Sequence, residues 1–425
     1  IWTRLSAEDE DCTTDTCAAI GGICPFYRAR TAAETAQVVI VNHALLVADA
    51  LAPQPVLPEY DAVIIDEAQH LEEATTSSLS FHLDVPQLKY HLGDLSGKSR
   101  GLISDLLRAL ATGAPEATAR QYAEYAELIR EAARLTATRA TALFDALDAL
   151  YGEFGRPDTQ ALRLTTRERK HAHFEHATGV WNELRDYFDA LVTGLRRMSG
   201  GMQRLGNYPI PNHADLANAL AAAARYTAEI QRQLDNVFAA TDDKASNNIL
   251  WLTRSGERGV VLHNAPAHVG QLIDASLWSP KSSVILTGAT LRTGQTFTFL
   301  SERLAAANVE TLIIPSPFDY KQAALLYLPT DMAEPNERSR FQAGIERAIV
   351  ELATALDGHV LALFTSYMQL RQTAQSISPR LALGGIEMLE QNDAGRQLVI
   401  DSFRDNPRSV LLGTRSFWEG IDLPG

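Results

Sequence analysis

Cysteine is scarce in this sequence. There are three in 425 residues, Cys12, Cys17 and Cys24, all close to the start. An odd, clustered set argues against a disulfide framework and suits a cytosolic metal site better. No apolar run approaches the ~18 residues that span a bilayer, so a soluble protein is expected. Positive charge is in the minority: 38 Lys and Arg stand against 52 Asp and Glu, a formal net charge of −14. That balance excludes a protein that coats nucleic acid through bulk charge, although a locally basic groove remains open to it. A phosphate-cradling G-x-x-x-x-G-K-[ST] loop is also missing. The nearest approach, "GDLSGKS" at Gly93 to Ser99, has its first Gly one residue too close and no buried strand before it. It predicts an ordinary loop between helices. What the chain does have is 46% hydrophobic and 21% charged residues, enough for sizeable cores in roughly three domains.

Apolar runs mark the candidate strands. "QVVIVNHALLVAD" reads as a strand, then Asn42 and His43, then a helix start. "DAVIIDE" and "SSVILTGATL" are two more continuous apolar strands, and such runs predict burial on both faces of a parallel sheet. From residue 75 to 245 the chain turns Ala-rich with apolar residues at helical spacing, broken at "MSGGMQ" and "NYPIPN". "ILWLTRSGERGVVLHN" predicts a hairpin turning at Ser255 to Gly259. After "IIPSPFDY" a second α/β unit is expected: a helix from Ser339 to Leu356, strand "HVLALF", a helix from Ser366, a helix from Gly395 to Arg404, and strand "SVLLGT". The fold class is therefore α/β, with two parallel-sheet units flanking a helical insertion. Open parallel sheets place their chemistry at the carboxyl ends of the strands, where each of these polar turns falls.

Four stretches carry candidate chemistry. In "YDAVIIDEAQHLEEA" two adjacent carboxylates, Asp66 and Glu67, leave the end of an apolar strand. One reading assigns a metal to Asp66 and an attacking water to Glu67; the plain one is an acidic helix N-terminus, which the helix dipole favours. In "CTTDTCAAIGGICPFYRAR" the three thiols suit partly buried cysteines, a zinc site or a softer metal centre. Three ligands do not close a tetrahedral zinc site or a four-iron cluster, so a fourth is expected upstream. "GTRSFWEGIDLPG" ends a strand at Gly413 and Thr414, then sets Phe417 and Trp418 beside Glu419, Gly420 and Asp422. It reads as a ligand-facing loop or as a core aromatic pair. "RLTTRERKHAH", from Arg163 to His173, is the one clearly basic run, and a solvated face is favoured over a phosphate-tracking channel.

In order, "CPFYRAR", "VNHALL", "IIDEAQHLEE", the helical insertion, "VILTGATL", "PSPFDY", "LFTSYMQL" and "LLGTRSFWEGIDLPG" resemble the DinG/XPD-type branch of superfamily 2 helicases. The resemblance is strongest to its bacterial DinG members. It implies two RecA-like motor domains, a helical Arch domain, a [4Fe-4S] cluster, and ATP-driven 5′→3′ movement on single-stranded DNA. The implied organisation is a cluster region at 1–36, a first motor at 37–74 and 246–316, an Arch-like insertion at 75–245 and a second motor at 317–425. The phosphate-binding loop is expected before residue 1 and an arginine-bearing motif after Gly425. Both motors are thus expected to be incomplete, and the 425 residues an internal fragment without activity of its own.

Carried over, the resemblance gives Asp66 a magnesium ion held through its water shell and gives Glu67 the attacking water. Gln69 stands where the family usually has His, with His70 next, and leads to the Gly288, Ala289 and Thr290 turn. Thr414, Glu419, Gly420 and Asp422 are implied at the nucleotide cleft. Asn42 and His43 are implied near the DNA path or bracing it, Thr365 and Ser366 on a DNA phosphate, and Trp418 between the two sites. Cys12, Cys17 and Cys24 match three of the four cluster ligands. The implied partners are single-stranded and forked DNA, with RNA–DNA hybrids as a further candidate, for a monomeric bacterial cytoplasmic protein working in repair or at replication conflicts. Two alternatives stand beside this: a DinG-like protein with an upstream exonuclease domain, and a nucleotide- or cluster-dependent clamp that grips DNA without unwinding it.

Overall fold

In the computed structural model residues 25–52, 56–155, 161–239, 247–256, 259–421 and 423 are described, and the chain divides into two units, Ile1–Leu312 and Ile313–Gly425. The first unit opens with α1 (Pro25–Glu34) and α2 (His43–Leu51). Asn42 sets the start of α2, because its side-chain oxygen accepts the Leu45 N–H at 2.8 Å. Strand β1 (Ala62–Ile65) then pairs in parallel with β6 (Ser283–Leu286), Ala62 opposite Ser283 and Ile65 opposite Leu286. The ladder runs past both strand ends: Thr287 N–H donates to the Ile65 carbonyl at 2.9 Å, and Ala68 N–H to the Thr287 carbonyl at 3.0 Å. One face of this pair is covered by Leu46, Val47, Leu71, Ile273, Leu277 and Leu304.

The other face corrects the expected burial on both sides. Ile64 and Ile285, opposite each other in the register, are 69% and 51% exposed, and Val38 and Ile40 are exposed too. The segment Gln37–Val41 forms no strand. An apolar run needs a neighbour to take its backbone hydrogen bonds, and among the described residues this one has no ladder partner.

Between β1 and β6 lies a helical body. Helix α3 (Leu71–Leu79) leads to a short strand, then to α4 (Val85–Ser96), α5 (Leu102–Gly113), α6 (Glu116–Phe154), α7 (Ala172–Arg204) and α8 (His213–Ala239). Asp84 caps α4 by accepting the Gln87 N–H at 2.7 Å. On α7 the buried residues Phe174, Ala177, Trp181, Leu184, Phe188, Leu191 and Leu195 recur every three or four positions. That stripe packs into one core with α4, α5, α6 and α8, as helical periodicity requires. "GDLSGKS" is the last turn of α4 and the loop after it, so it is no phosphate loop. In the basic run, Arg169 donates to the Val237 carbonyl at 3.0 Å and Arg167 lies 5.2 Å from the centre of the Phe154 ring. Both guanidiniums are engaged by the protein itself.

The helical body is joined by a small sheet, two strands of which lie beyond the insertion's expected end at residue 245. Strands β2 (Phe81–Leu83), β3 (Ala161–Arg163), β4 (Asn248–Ser255) and β5 (Gly259–Pro266) form an antiparallel sheet in the order β2-β5-β4-β3. The hairpin turns at Ser255 and Gly259 as expected. Leu83, Leu162, Leu252 and Leu262 form one inward row against the helices. The outward row is His82, His263, Trp251 and Arg163, with the Trp251 and His263 rings stacked at 4.9 Å.

The second unit keeps its expected elements to within two residues at each boundary and adds one unforeseen strand, Glu387–Glu390. It comprises α9 (Arg338–Ala355), β7 (Val360–Leu363), α10 (Tyr367–Leu383), β8 (Glu387–Glu390), α11 (Arg396–Asp405) and β9 (Ser409–Gly413). The sheet is parallel in the order β7-β9-β8, and the central β9 is buried along its whole length. Leu370, Ala374, Ile377 and Leu381 of α10 cluster with Val410 and Leu412, while Val399 and Ile400 of α11 cluster with Leu411 and Phe417. Alternate residues of β9 thus serve opposite layers, as a strand covered on both faces must. Around the start of this unit, residues 309–319 run without regular structure and with Leu312, Ile314 and Phe318 exposed. No helix among the described residues is long and apolar enough to cross a membrane.

Candidate functional site

The carboxyl ends of β1 and β6 hold the first cluster. Asp66 and Glu67 follow β1 directly and both are exposed. Glu67 sits in the left-handed region (φ 48°, ψ 46°), a conformation that costs a residue with a Cβ about 1–2 kcal/mol. A strained residue at a strand end is a common mark of a working site. His43 braces the turn from α2, its Nε2 donating to the Asp66 carbonyl at 2.8 Å. Gln69 Nε2 donates to Glu67 Oε2 at 2.6 Å. The other end of the same amide, Oε1, is buried without a partner and lies against Gly288, where a Cβ would stand 2.7 Å away. Only glycine lets Gln69 come so close. Gln69 therefore touches both the Glu67 carboxylate and the turn Gly288, Ala289 and Thr290, the latter two of which are exposed.

Chemically, this is a pair of hard carboxylate oxygens facing solvent at a sheet's carboxyl edge. That donor set fits a magnesium ion with most of its waters kept. His43 and Asn42, both foreseen near a DNA path, have definite partners here: Asn42 caps α2 and His43 holds the Asp66 backbone.

The second unit holds a separate cluster. Thr365 and Ser366 follow β7 and are exposed, and Ser366 caps α10 by accepting the Gln369 N–H at 3.4 Å. They stand at the positive end of a 17-residue helix, where an anion is favoured. Thr414 donates both its N–H and its hydroxyl to Gln391 Oε1, at 2.7 and 2.8 Å. Beyond it the two aromatics part company. Phe417 is buried at 3% exposure, whereas Trp418 is 55% exposed. Glu419 and Gly420 are exposed, and Asp422 lies outside the described residues.

Sequence reasoning missed the residue that shapes this loop. Arg396 Nε donates to the Ser416 carbonyl at 3.1 Å, and its Nη2 to the carbonyls of Glu419 and Gly420 at 3.1 and 3.2 Å. Its guanidinium also lies 5.7 Å from the Phe417 ring centre. One signal was available: a cation at the first position of a helix opposes the dipole and needs another reason to be there. Cys12, Cys17 and Cys24 lie outside the described residues. Among the described residues no group of three or more His, Cys, Asp or Glu could hold a metal ion.

Two family models match the ends of the chain: DEAD_2 over residues 12–88 and a helicase C-terminal domain over residues 349–425. Similarity to curated proteins runs the full length of the chain. It is 24% identical to the 3′-5′ exonuclease DinG of Bacillus subtilis, covering 46% of that protein. It is 27% identical to the ATP-dependent DNA helicase DinG of Photobacterium profundum, covering 60%, and 26% identical to the ATP-dependent helicase DinG of Mycobacterium tuberculosis, covering 56%. The chain thus spans roughly half the length of these relatives. DEAD_2 lies over the Asp66–Glu67 turn, the helicase C-terminal domain over the Thr414–Gly420 loop, and DinG proteins align with the whole chain, so the sequence is similar to DinG-type helicases along its full length.

Proposed function

We propose that the protein is an ATP-dependent 5′→3′ DNA helicase that translocates on single-stranded DNA and serves in repair or in resolving replication conflicts. The observation that carries the reading is the contact chain His43–Asp66–Glu67–Gln69–Gly288 across the ends of two parallel strands. In this reading Asp66 supplies an oxygen to the magnesium's water shell, and bound magnesium neutralises charge on the nucleotide phosphates. Glu67 orients and polarises the attacking water. Gln69 reports the state of that carboxylate to the Gly288–Thr290 turn by hydrogen bonding alone, since its amide takes no proton. Thr365 and Ser366 take a DNA phosphate, the Thr414–Asp422 loop faces the nucleotide, and Trp418 links the two. The helical body with its antiparallel sheet acts as the Arch-like insertion, and Cys12, Cys17 and Cys24 supply three ligands of a [4Fe-4S] cluster.

The test is Glu67→Gln in the full-length protein. It should keep ATP and DNA binding while turnover falls by about 10²-fold or more, the usual loss for a positioned proton-transfer group. Wild-type turnover would remove Glu67 from the mechanism. Strand displacement from duplexes with a 5′ or a 3′ single-stranded tail checks direction: only the 5′-tailed substrate should open. No displacement from either, with ATP turnover intact, would favour the clamp instead.

A second reading is favoured by one observation, the name of the Bacillus subtilis relative, a 3′-5′ exonuclease. In it the longer protein degrades DNA from 3′ ends. Loss of end-labelled DNA in the presence of magnesium without ATP would support it, and intact label would exclude it.

A further inference from the structure

The antiparallel sheet β2-β5-β4-β3 has a face to which the proposed function gives no work. Its inward leucines lie against the helices. On the outward face the register sets His82, His263, Trp251 and Arg163 side by side across all four strands. None of the four is buried, and His82 and Arg163 are exposed. Strands sit ~4.8 Å apart, so the row is about 14 Å long.

The row is held in place by its own contacts. The Trp251 and His263 rings are stacked with planes 3° apart, and Thr253 Oγ1 is hydrogen-bonded to His263 Nε2 at 2.8 Å. His82 extends it, with its ring centre 6.4 Å from that of His263. Two groups of the row stay open. Trp181 and Trp278 give their indole N–H to Asp235 Oδ1 and to the Leu304 carbonyl, at 3.2 and 2.7 Å. Trp251 Nε1 has no such partner among the described residues and is open to solvent. His263 covers one face of this indole, and the neighbour in register on its other side is Arg163. Among the described residues that guanidinium has no hydrogen bond, ion pair or ring contact, unlike Arg167 and Arg169 of the same basic run.

Charge sets this face apart as well. The chain carries 52 Asp and Glu, yet β2, β3, β4 and β5 contain none. Of the two arginines in these strands, Arg254 is neutralised by Asp148 at 2.7 Å and Arg163 is left with its charge unpaired.

We infer that this face is a platform for single-stranded DNA, with a base stacked on Trp251 and a neighbouring phosphate held by Arg163. A four-stranded sheet whose open-face aromatics stack two or three bases is an established device for gripping a single strand. Stacking tolerates any sequence, because every base has a π-face, and it lets an acidic protein hold a polyanion with few cations. The choice of DNA rests on the DNA-translocating reading above; the stacking face does not.

The test uses the whole 425-residue chain, a fluorescent oligo(dT) of about 20 nucleotides, and an abasic strand of equal length. Trp251→Ala should weaken oligo(dT) binding about tenfold, the scale of one lost stack, and leave the abasic strand unchanged. Trp251→Tyr keeps a stacking ring and should restore most of the affinity. Arg163→Glu, at an exposed position on the sheet's edge strand, should weaken both strands. Oligo(dT) carrying 5-iodouracil should crosslink on irradiation to Trp251 or His263, a readout by peptide mapping that needs no variant. Oligo(dT) that binds wild type and variants alike, or that crosslinks only outside the sheet, overturns the platform and leaves the helicase reading standing. No binding by the wild type also overturns the platform, and the helicase reading then rests on strand displacement by the full-length protein. Variant-sensitive binding without displacement by the full-length protein keeps the platform and favours the clamp over the helicase.

Discussion

Glu67 carries two demands that a substitution can separate, one chemical and one conformational. Glu67→Ala and Glu67→Gly both lose the carboxylate and the bond from Gln69. Only Gly also relieves the left-handed backbone, so Glu67→Gly should be the more stable of the two by ~1 kcal/mol in urea unfolding. The opposite order, as on an ordinary helix, would mean that the turn relaxes when Glu67 is removed. His91 gives a pH signature. It is buried against Tyr226 and bonded to Thr227 Oγ1 at 2.9 Å, and desolvation pushes its pKa from 6.5 down to about 4. Its unfolded form takes up a proton first as pH falls. Stability from keeping it neutral is therefore complete above pH 6.5 and is lost progressively toward pH 4, by about 3 kcal/mol. His91→Gln should flatten unfolding free energy against pH in that window, and an unaltered profile would assign the slope to other groups. The Asp-Glu pair was legible because continuous apolar residues ending in carboxylates have few other uses. Arg396 was harder to see, because its three main-chain carbonyl partners leave no trace in side-chain pattern and only its place at a helix start marks it.

Elements were read well where their length exceeded one or two periods of their repeat. The hairpin at Ser255–Gly259 and every helix and strand from α9 to β9 except the four-residue β8 fall close to their expected places. Strands β2 and β3 have three residues each, too few for a period of two to stand out from helical sequence on either side. The Gln37–Val41 run failed in the other direction, since strand formation depends on a partner that one-dimensional pattern does not contain. Within the second unit, the seam between β9 and its loop is tight: a Cβ at Gly413 would stand 2.6 Å from Phe417 Cβ. Gly413→Ala should therefore cost ~1–3 kcal/mol, the range for overpacking. Differential scanning calorimetry would show a lowered transition, and an unchanged one would mean that the Phe417 turn shifts freely. The Arg396 clamp predicts a second effect. Arg396→Ala should speed amide hydrogen exchange at residues 416–420 while leaving β9 protected.

Across the whole molecule, the two units have separate cores, and the exposed apolar stretch where the second begins is where a protease should enter first. Brief chymotrypsin treatment should cut near Phe318 or Tyr320 before any site in the helical body, and early cleavage within α6 or α7 would contradict this. The thiols make a whole-protein prediction of their own. Full-length protein purified without oxygen should contain iron and sulfide, both lost on Cys17→Ser, whereas stoichiometric zinc would replace the cluster reading with a zinc fold. The longest element adds a mechanical consequence. Helix α6 has 39 residues, so at ~1.5 Å per residue it is a rod of about 58 Å. Near its C-terminal end Asp148 is tied to Arg254 of the sheet at 2.7 Å, and the same guanidinium lies 4.9 Å from the Tyr151 ring centre. A tilt of the helical body by about 10° about that tie would carry the Glu116 end, ~48 Å away along the rod, through roughly 8 Å.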